Sequence, residues 1–260
     1  MKIKATALCF VFAAGLAPAA DQAADLAPTG TLRAVFLGDN PVQGRVDPKT
    51  GAITGPVADL VQELARRLKV PFKLIPAPGA RVVIDQVNAH TADIGFLAYE
   101  AARAREVDFS GGYAVMRNTY VVPASSSIHG IAEVDRAGVR VGAVQGQSQQ
   151  IYLSENLKQA KVRIFAETPS QEELVKLLES GEIEAFGANR QRMEEAAALS
   201  KQIRVLPDNF SSATQAIVIE KGAPDKMAEI NRFLDDVRSS GFVKTSLGRA
   251  KLIGVEVAPK

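Results

Sequence analysis

A chain of 260 residues, 47% of them apolar, has enough material for one large core or two modest ones. Its 31 Lys and Arg stand against 29 Asp and Glu, a balance that argues against nucleic acid or a strongly anionic membrane as partner. With no Trp and few other aromatics, it also lacks the side chains of a base- or sugar-stacking platform.

Lys2 and Lys4 precede an apolar run from Ala5 to Ala17 and the small-residue stretch Ala17-Pro18-Ala19. That order is the order of a secretory signal cut after Ala19, and the run is shorter than the roughly 20 residues that span a bilayer. Residues 1–19 therefore read as a signal peptide and 20–30 as a spacer, and the mature chain is expected in the periplasm without membrane insertion. Cys9, the sole cysteine, leaves with the signal and lies too early in the run to carry a lipid. The mature chain then has no disulfide and no cysteine metal ligand, and its opposite charges balance.

From Leu32 onward strands and helices alternate. Leu32 to Leu37 reads as a strand, and Asp47-Pro48-Lys49-Thr50-Gly51 as a turn. Val57, Leu60, Val61, Leu64, Ala65 and Leu68 form one helical stripe, with Pro56 at its first position and Pro71 barring continuation. A strand at Phe72–Ile75, a helix at Arg81–Ala89 and a strand at Asp93–Ala98 follow. The second half repeats the rhythm: strand Val139–Val144, a loop Gly146-Gln147-Ser148 opening a helix through Leu157, and strand Val162–Phe165. The capping box Ser170-Gln171-Glu172-Glu173 then starts a helix that Gly181 stops, before strand Ile183–Phe186. This repetition predicts parallel sheets with crossover helices.

Two segments read as crossings between lobes: Tyr120 to Pro123 with the serines after it, and Thr214 to Ile219. The last helix, Pro224 to Ser240, packs back on the first lobe through Met227, Ile230, Phe233, Leu234 and Val237. The expected fold class is thus α/β, with two α/β lobes: a discontinuous first lobe of residues 31–121 and 214–260, and a second of residues 122–213. Hinges are expected near Tyr120–Ala124 and Ser212–Ala216. Ligands bind outside the carboxyl ends of parallel strands, which directs attention to the cleft between lobes.

Three segments, taken in order, carry a resemblance. They are Gly30-Thr31-Leu32-Arg33 with Gly55-Pro56-Val57-Ala58-Asp59-Leu60; Ala92-Asp93-Ile94-Gly95-Phe96 with Arg103-Ala104-Arg105-Glu106-Val107-Asp108-Phe109-Ser110; and Val139-Arg140-Val141-Gly142, Gly146-Gln147-Ser148 and Gly181-Glu182-Ile183-Glu184-Ala185-Phe186. Together they resemble the family 3 solute-binding proteins of ABC importers, which mostly capture polar amino acids. The resemblance implies a periplasmic-binding-protein-like clamp that closes on a small carboxylate-bearing molecule and meets an importer permease. It implies no cofactor, no metal and no catalysis.

The same resemblance assigns site residues. Arg103 matches the arginine that grips the ligand carboxylate, and a guanidinium fork suits that task. Gln147 and Ser148 stand where a helix start offers N–H groups to an anion. Ala98 and Asn189 occupy the positions where amino-acid binders hold the ammonium with a hydroxyl and an Asp. Asn40 and Ala80 replace aromatic walls, leaving Phe96 and Tyr99 as candidate linings. The expected ligand is therefore an amino acid or a related organic acid. Some relatives dehydrate prephenate-like acids, which makes a dehydratase the rival reading, and a free sensor partner a third. His90 and His129 are far apart, and no nucleophile constellation, metal spacing or phosphate loop supports an enzyme.

Overall fold

The computed structural model describes residues 25–259. The expected signal peptide, its cleavage site and the start of the spacer lie outside them. The first half runs β1 (Leu32–Leu37), a short hairpin of β2 (Arg45–Val46) and β3 (Ile53–Thr54), α1 (Pro56–Leu68), β4 (Phe72–Ala77), α2 (Ala80–Asn88) and β5 (Ile94–Ala98). A 3-10 turn at Arg103–Arg105 leads into the long β6 (Val107–Pro123). The second half runs β7 (Arg140–Val144), α3 (Ser148–Asn156), β8 (Lys161–Phe165), α4 (Gln171–Glu179), β9 (Ala185–Asn189), α5 (Arg190–Leu199) and β10 (Ile203–Val205). The chain returns through β11 (Ser211–Glu220) to α6 (Pro224–Ser239), α7 (Phe242–Arg249) and β12 (Val255–Val257).

Local chemistry accounts for the element ends. Asp47 Oδ1 accepts from the N–H groups of Lys49 at 2.8 Å and Thr50 at 2.9 Å, closing the β2–β3 turn. Pro56 opens α1, and Lys69 ends it in the left-handed region at φ 57°. Ser170 and Glu173 cap α4 reciprocally, each accepting from the other's backbone N–H.

One sheet of ten strands carries the molecule, in the order β4-β1-β5-β11-β6-β9-β7-β8, with β10 and β12 added alongside β6. β4, β1 and β5 are mutually parallel, as are β9, β7 and β8. Between those sets the pairs β5–β11, β11–β6 and β6–β9 are antiparallel. Each parallel set is buried on both faces, the condition such strands require. Phe36, Leu60, Leu64, Phe233 and Leu234 cover one face of the first set, and Val83, Val87 and Leu97 the other. Val141 and Leu153 cover one face of the second set, and Leu174, Phe186 and Met193 the other. The result is an α/β fold of two lobes with a discontinuous first lobe, crossed by β6 and β11.

The crossing strands are longer than the sequence patterning indicates. Residues 107–119 of β6 hide their strand character behind Gly111 and Gly112, because glycine weakens a strand reading. Gly112 is required by crowding: a Cβ there would collide with the Thr214 side chain and press on Ala258 at 3.0 Å. β6 ends its pairing with β11 at Asn118–Ser211 and begins pairing with β9 at Asn118–Asn189. The change of partner thus falls slightly before both expected hinges. α5, α7, β10 and β12 also went unread, since α5 buries only Gln191, Met193 and Ala196 and so shows no apolar stripe.

Candidate functional site

The carboxyl ends of the parallel strands from both lobes converge on one cavity of about 550 Å³. Asp39 and Asn40 follow β1, Gly79 and Ala80 follow β4, and Ala98 ends β5. From the other lobe come Gly146, Gln147 and Ser148 after β7 and Glu167 and Thr168 after β8, while Met116 and Gln215 contribute from the crossing strands. Crevices at strand carboxyl ends are where open α/β sheets bind ligands. A second depression, of about 590 Å³, opens beside α4. Unpaired polar groups separate the two. Among the described residues, four buried side-chain atoms lack a hydrogen-bond partner; Ser148 Oγ and Gln215 Nε2 belong to the first cavity and none to the second. Buried polar groups are normally paired, so these two mark where a ligand's polar atoms are expected.

Arg103 dominates the electrostatics. It is 6% exposed, and burial pulls its pKa below the ordinary arginine value, with Glu100 opposing. A guanidinium stays charged nonetheless. Nη1 donates to the Ala98 carbonyl and Nη2 to the Gly146 carbonyl, both at 2.8 Å. Gly146 turns its backbone at φ 70°, a region open to glycine at little cost. Among the described residues no carboxylate forms a contact ion pair with Arg103; Glu100 acts on it through its charge alone. Other bonds also join the two halves: Thr168 donates to Asp39, and Arg192 on α5, which also donates to the Pro169 carbonyl of its own half, donates to the Asp39 carbonyl.

A smaller cleft of about 240 Å³ lies behind Ser148, lined by Tyr99, Glu100, Tyr152 and Glu155. Burial raises the Glu100 carboxyl above its ordinary value of 4.5, the charge of Glu155 adds to the rise, and Arg103 opposes it. Because the folded value is raised, the folded state binds this proton more tightly, and the associated stability is full at low pH and lost as pH rises through the folded value. Glu100→Gln is expected to flatten the fall in melting temperature between pH 4.5 and the folded value. Equal slopes for the two proteins would show that Glu100 is solvated like a free glutamate.

Of the residues singled out in the sequence, Arg103, Asn40, Ala80, Ala98, Gln147 and Ser148 stand on the cavity wall. Three do not. Phe96 shares a strand face with Ala98 but lies one pair deeper, in the core edge-to-face with Tyr113. Tyr99 is 52% exposed, packs on Phe109 and lines the smaller cleft. Asn189 is buried, and its side chain accepts from the Arg192 N–H at 2.9 Å, capping α5. The helix-start carboxamide is thereby used within the fold.

Sequence reasoning missed Asp39, Thr168, Met116 and Gln215. Gln215 had a signal: a lone amide inside the apolar strand Ala213–Ile219, where an unpaired polar side chain is costly. Neither histidine reaches the cavity. Among the described residues no group of three His, Cys, Asp or Glu is arranged to hold a metal ion, and no helix is long and apolar enough to cross a membrane.

Comparison with known proteins gives a consistent picture. The family model of the bacterial extracellular solute-binding proteins, family 3, matches residues 32–247. Among solved structures, the ancestral amino acid-binding protein AncCDT-1, a precursor of cyclohexadienyl dehydratase, is 23% identical, with 86% of this chain and 96% of that one covered at a TM-score of 0.73. The amino acid ABC transporter substrate-binding protein AbpA from Streptococcus pneumoniae, bound to L-arginine, is 19% identical, with 86% and 96% covered at 0.73. An ancestral arginine-binding protein bound to arginine is 22% identical, with 85% and 97% covered at 0.72. Identities at this level carry the fold alone. No curated protein matches the chain.

Proposed function

We propose, from the premise that this chain belongs to family 3 of the bacterial extracellular solute-binding proteins, that it is the substrate-binding component of an ABC importer. It captures a small carboxylate-bearing solute in the cavity between its lobes and hands it to a permease. The observation that carries this reading is Arg103: a buried guanidinium with two carbonyl bonds, influenced by the Glu100 charge but in contact with no carboxylate. An uncompensated buried charge costs several kcal/mol or more, and a ligand carboxylate removes that cost while accepting the remaining N–H groups. Ser148 Oγ, unpartnered at the start of α3, adds a second polar group beside it.

Amino-acid binding by the S. pneumoniae relative and by the ancestral proteins supports the solute class. Ala98 brings no side-chain acceptor for an ammonium, and the Asn189 oxygen is engaged by Arg192, which tilts the reading toward an organic acid. Export to the periplasm through a cleaved leader belongs to the same proposal, as does a division near residues 121 and 213 with closure about the crossing strands. The chain acts without chemistry of its own.

Native mass spectrometry of gently purified protein is expected to reveal a retained small acid. Solution scattering is expected to give a smaller radius of gyration when that acid is restored to stripped protein. A neutral or purely cationic retained molecule would contradict the carboxylate assignment, and an unchanged radius at saturation would contradict closure.

A further inference from the structure

Gln215, on β11, is fully buried, lines the cavity, and leaves its Nε2 without a partner. Which end of its carboxamide lacks a partner follows from Gln43. The Gln43 Oε1 accepts from the Leu37 N–H at 2.8 Å, and its Nε2 donates to the Phe96 carbonyl at 3.2 Å. Backbone N–H and C=O cannot exchange roles, so the orientation of Gln43 is set and its Nε2 is a donor. The Gln215 atom 3.2 Å from that donor is therefore the oxygen, Oε1. The amino end of Gln215 is thus the end without a partner, on a residue that lines the cavity.

Its surroundings decide what it can meet. Gln215 is the cross-strand partner of Ala98, so both side chains project from one face of the sheet. The Ala98 carbonyl is already taken by Arg103 Nη1, and the Gly146 carbonyl by Nη2. The residues lining the cavity thus include two donors, the Arg103 guanidinium and the buried, unpartnered Gln215 amino group, together with the Ser148 hydroxyl, which is buried and unpartnered as well. The carboxylates on the wall, Asp39 and Glu167, belong to the loops after β1 and β8. A ligand ammonium set against Gln215 Nε2 would oppose donor to donor and leave both groups buried and unpaired, whereas an oxygen satisfies them.

We infer that Gln215 is a specificity-determining residue that donates to a second oxygen of the ligand, beside the carboxylate held by Arg103, so that the site selects 2-oxo or 2-hydroxy acids over the matching amino acids. The inference rests on the carboxylate reading of Arg103.

Calorimetry with two matched sets tests it: glutamate, 2-oxoglutarate, 2-hydroxyglutarate and glutarate; and alanine, pyruvate, lactate and propionate. Within each set only the group on carbon 2 changes. In at least one set an oxo or hydroxy member is expected to bind about tenfold or more tightly than the amino acid. Gln215→Met keeps an unbranched side chain of similar length, and it is expected to reduce that member to the affinity of the unsubstituted acid. The unsubstituted acid itself then serves as the control for folding, together with a melting curve. An amino acid as the tightest member, or a uniform loss across a set in Gln215→Met, would overturn the role of Gln215 while acid binding through Arg103 survives. Absence of binding by every acid, or affinities indifferent to Arg103→Lys, would instead bring down the carboxylate reading and the inference with it.

Discussion

Arg103→Ala is expected to weaken binding of the captured acid by about 3–5 kcal/mol, because truncation leaves the ligand charge buried and unpaired. That corresponds to roughly two to four orders of magnitude in affinity. Arg103→Lys is expected to recover little, since an ammonium cannot bond the Ala98 and Gly146 carbonyls and also present a planar fork to a carboxylate. The loss has two sources, direct contact and the bridge that Arg103 makes between the lobes. Calorimetry with the acid identified by mass spectrometry measures their sum. Melting curves of the unliganded variants report the bridge alone. An affinity within a few-fold of wild type for Arg103→Ala, in folded protein, would remove Arg103 from the site.

Gln43→Leu is expected to destabilise the fold by about 3–5 kcal/mol, because up to three buried groups lose partners at roughly 1–3 kcal/mol each. Those groups are the Leu37 N–H, the Phe96 carbonyl and Gln215 Oε1, on β1, β5 and β11 respectively. Leucine nearly fills the volume, so the cost is polar rather than a packing defect. Denaturant unfolding with an unchanged slope and a lower midpoint is the expected signature. A loss below about 1 kcal/mol would mean that water or a shifted neighbour satisfies these groups.

The contrast between Gln43 and Arg103 explains what the sequence discloses. Arg103 falls at a fixed spacing from a recognisable strand and motif, so it is visible within a dozen residues of chain. Gln43 and Gln215 meet across 172 positions, and no local pattern announces such a meeting. α1 was legible because its buried residues repeat at helical spacing; α5 was not, because its inward face includes a glutamine and an alanine. Phe96 and Tyr99 show a different limit. Alternation along β5 tells which face a side chain takes, but depth below the strand end decides between core, wall and solvent. Asn189 shows a third limit, since a side chain at a promising position can be engaged by the next helix.

The crossing strands also set how the two halves can move. β6 is bonded to β11 along one edge as far as Asn118, and along the other to β12 from Ala114 to Met116 and then to β9 from Asn118 to Val121. The tail that forms β12 reaches the far half as well, through the Ile253 N–H donated to Gln191 on α5 at 2.6 Å. A joint of this kind is a leaf spring and not a free swivel. Bending it distributes small torsions over many hydrogen-bonded residues, so opening works against an elastic restoring force. In the proposed clamp the segment from Ile253 to Val257 would act as an extra leaf, its pairing adding to the stiffness against which the lobes open.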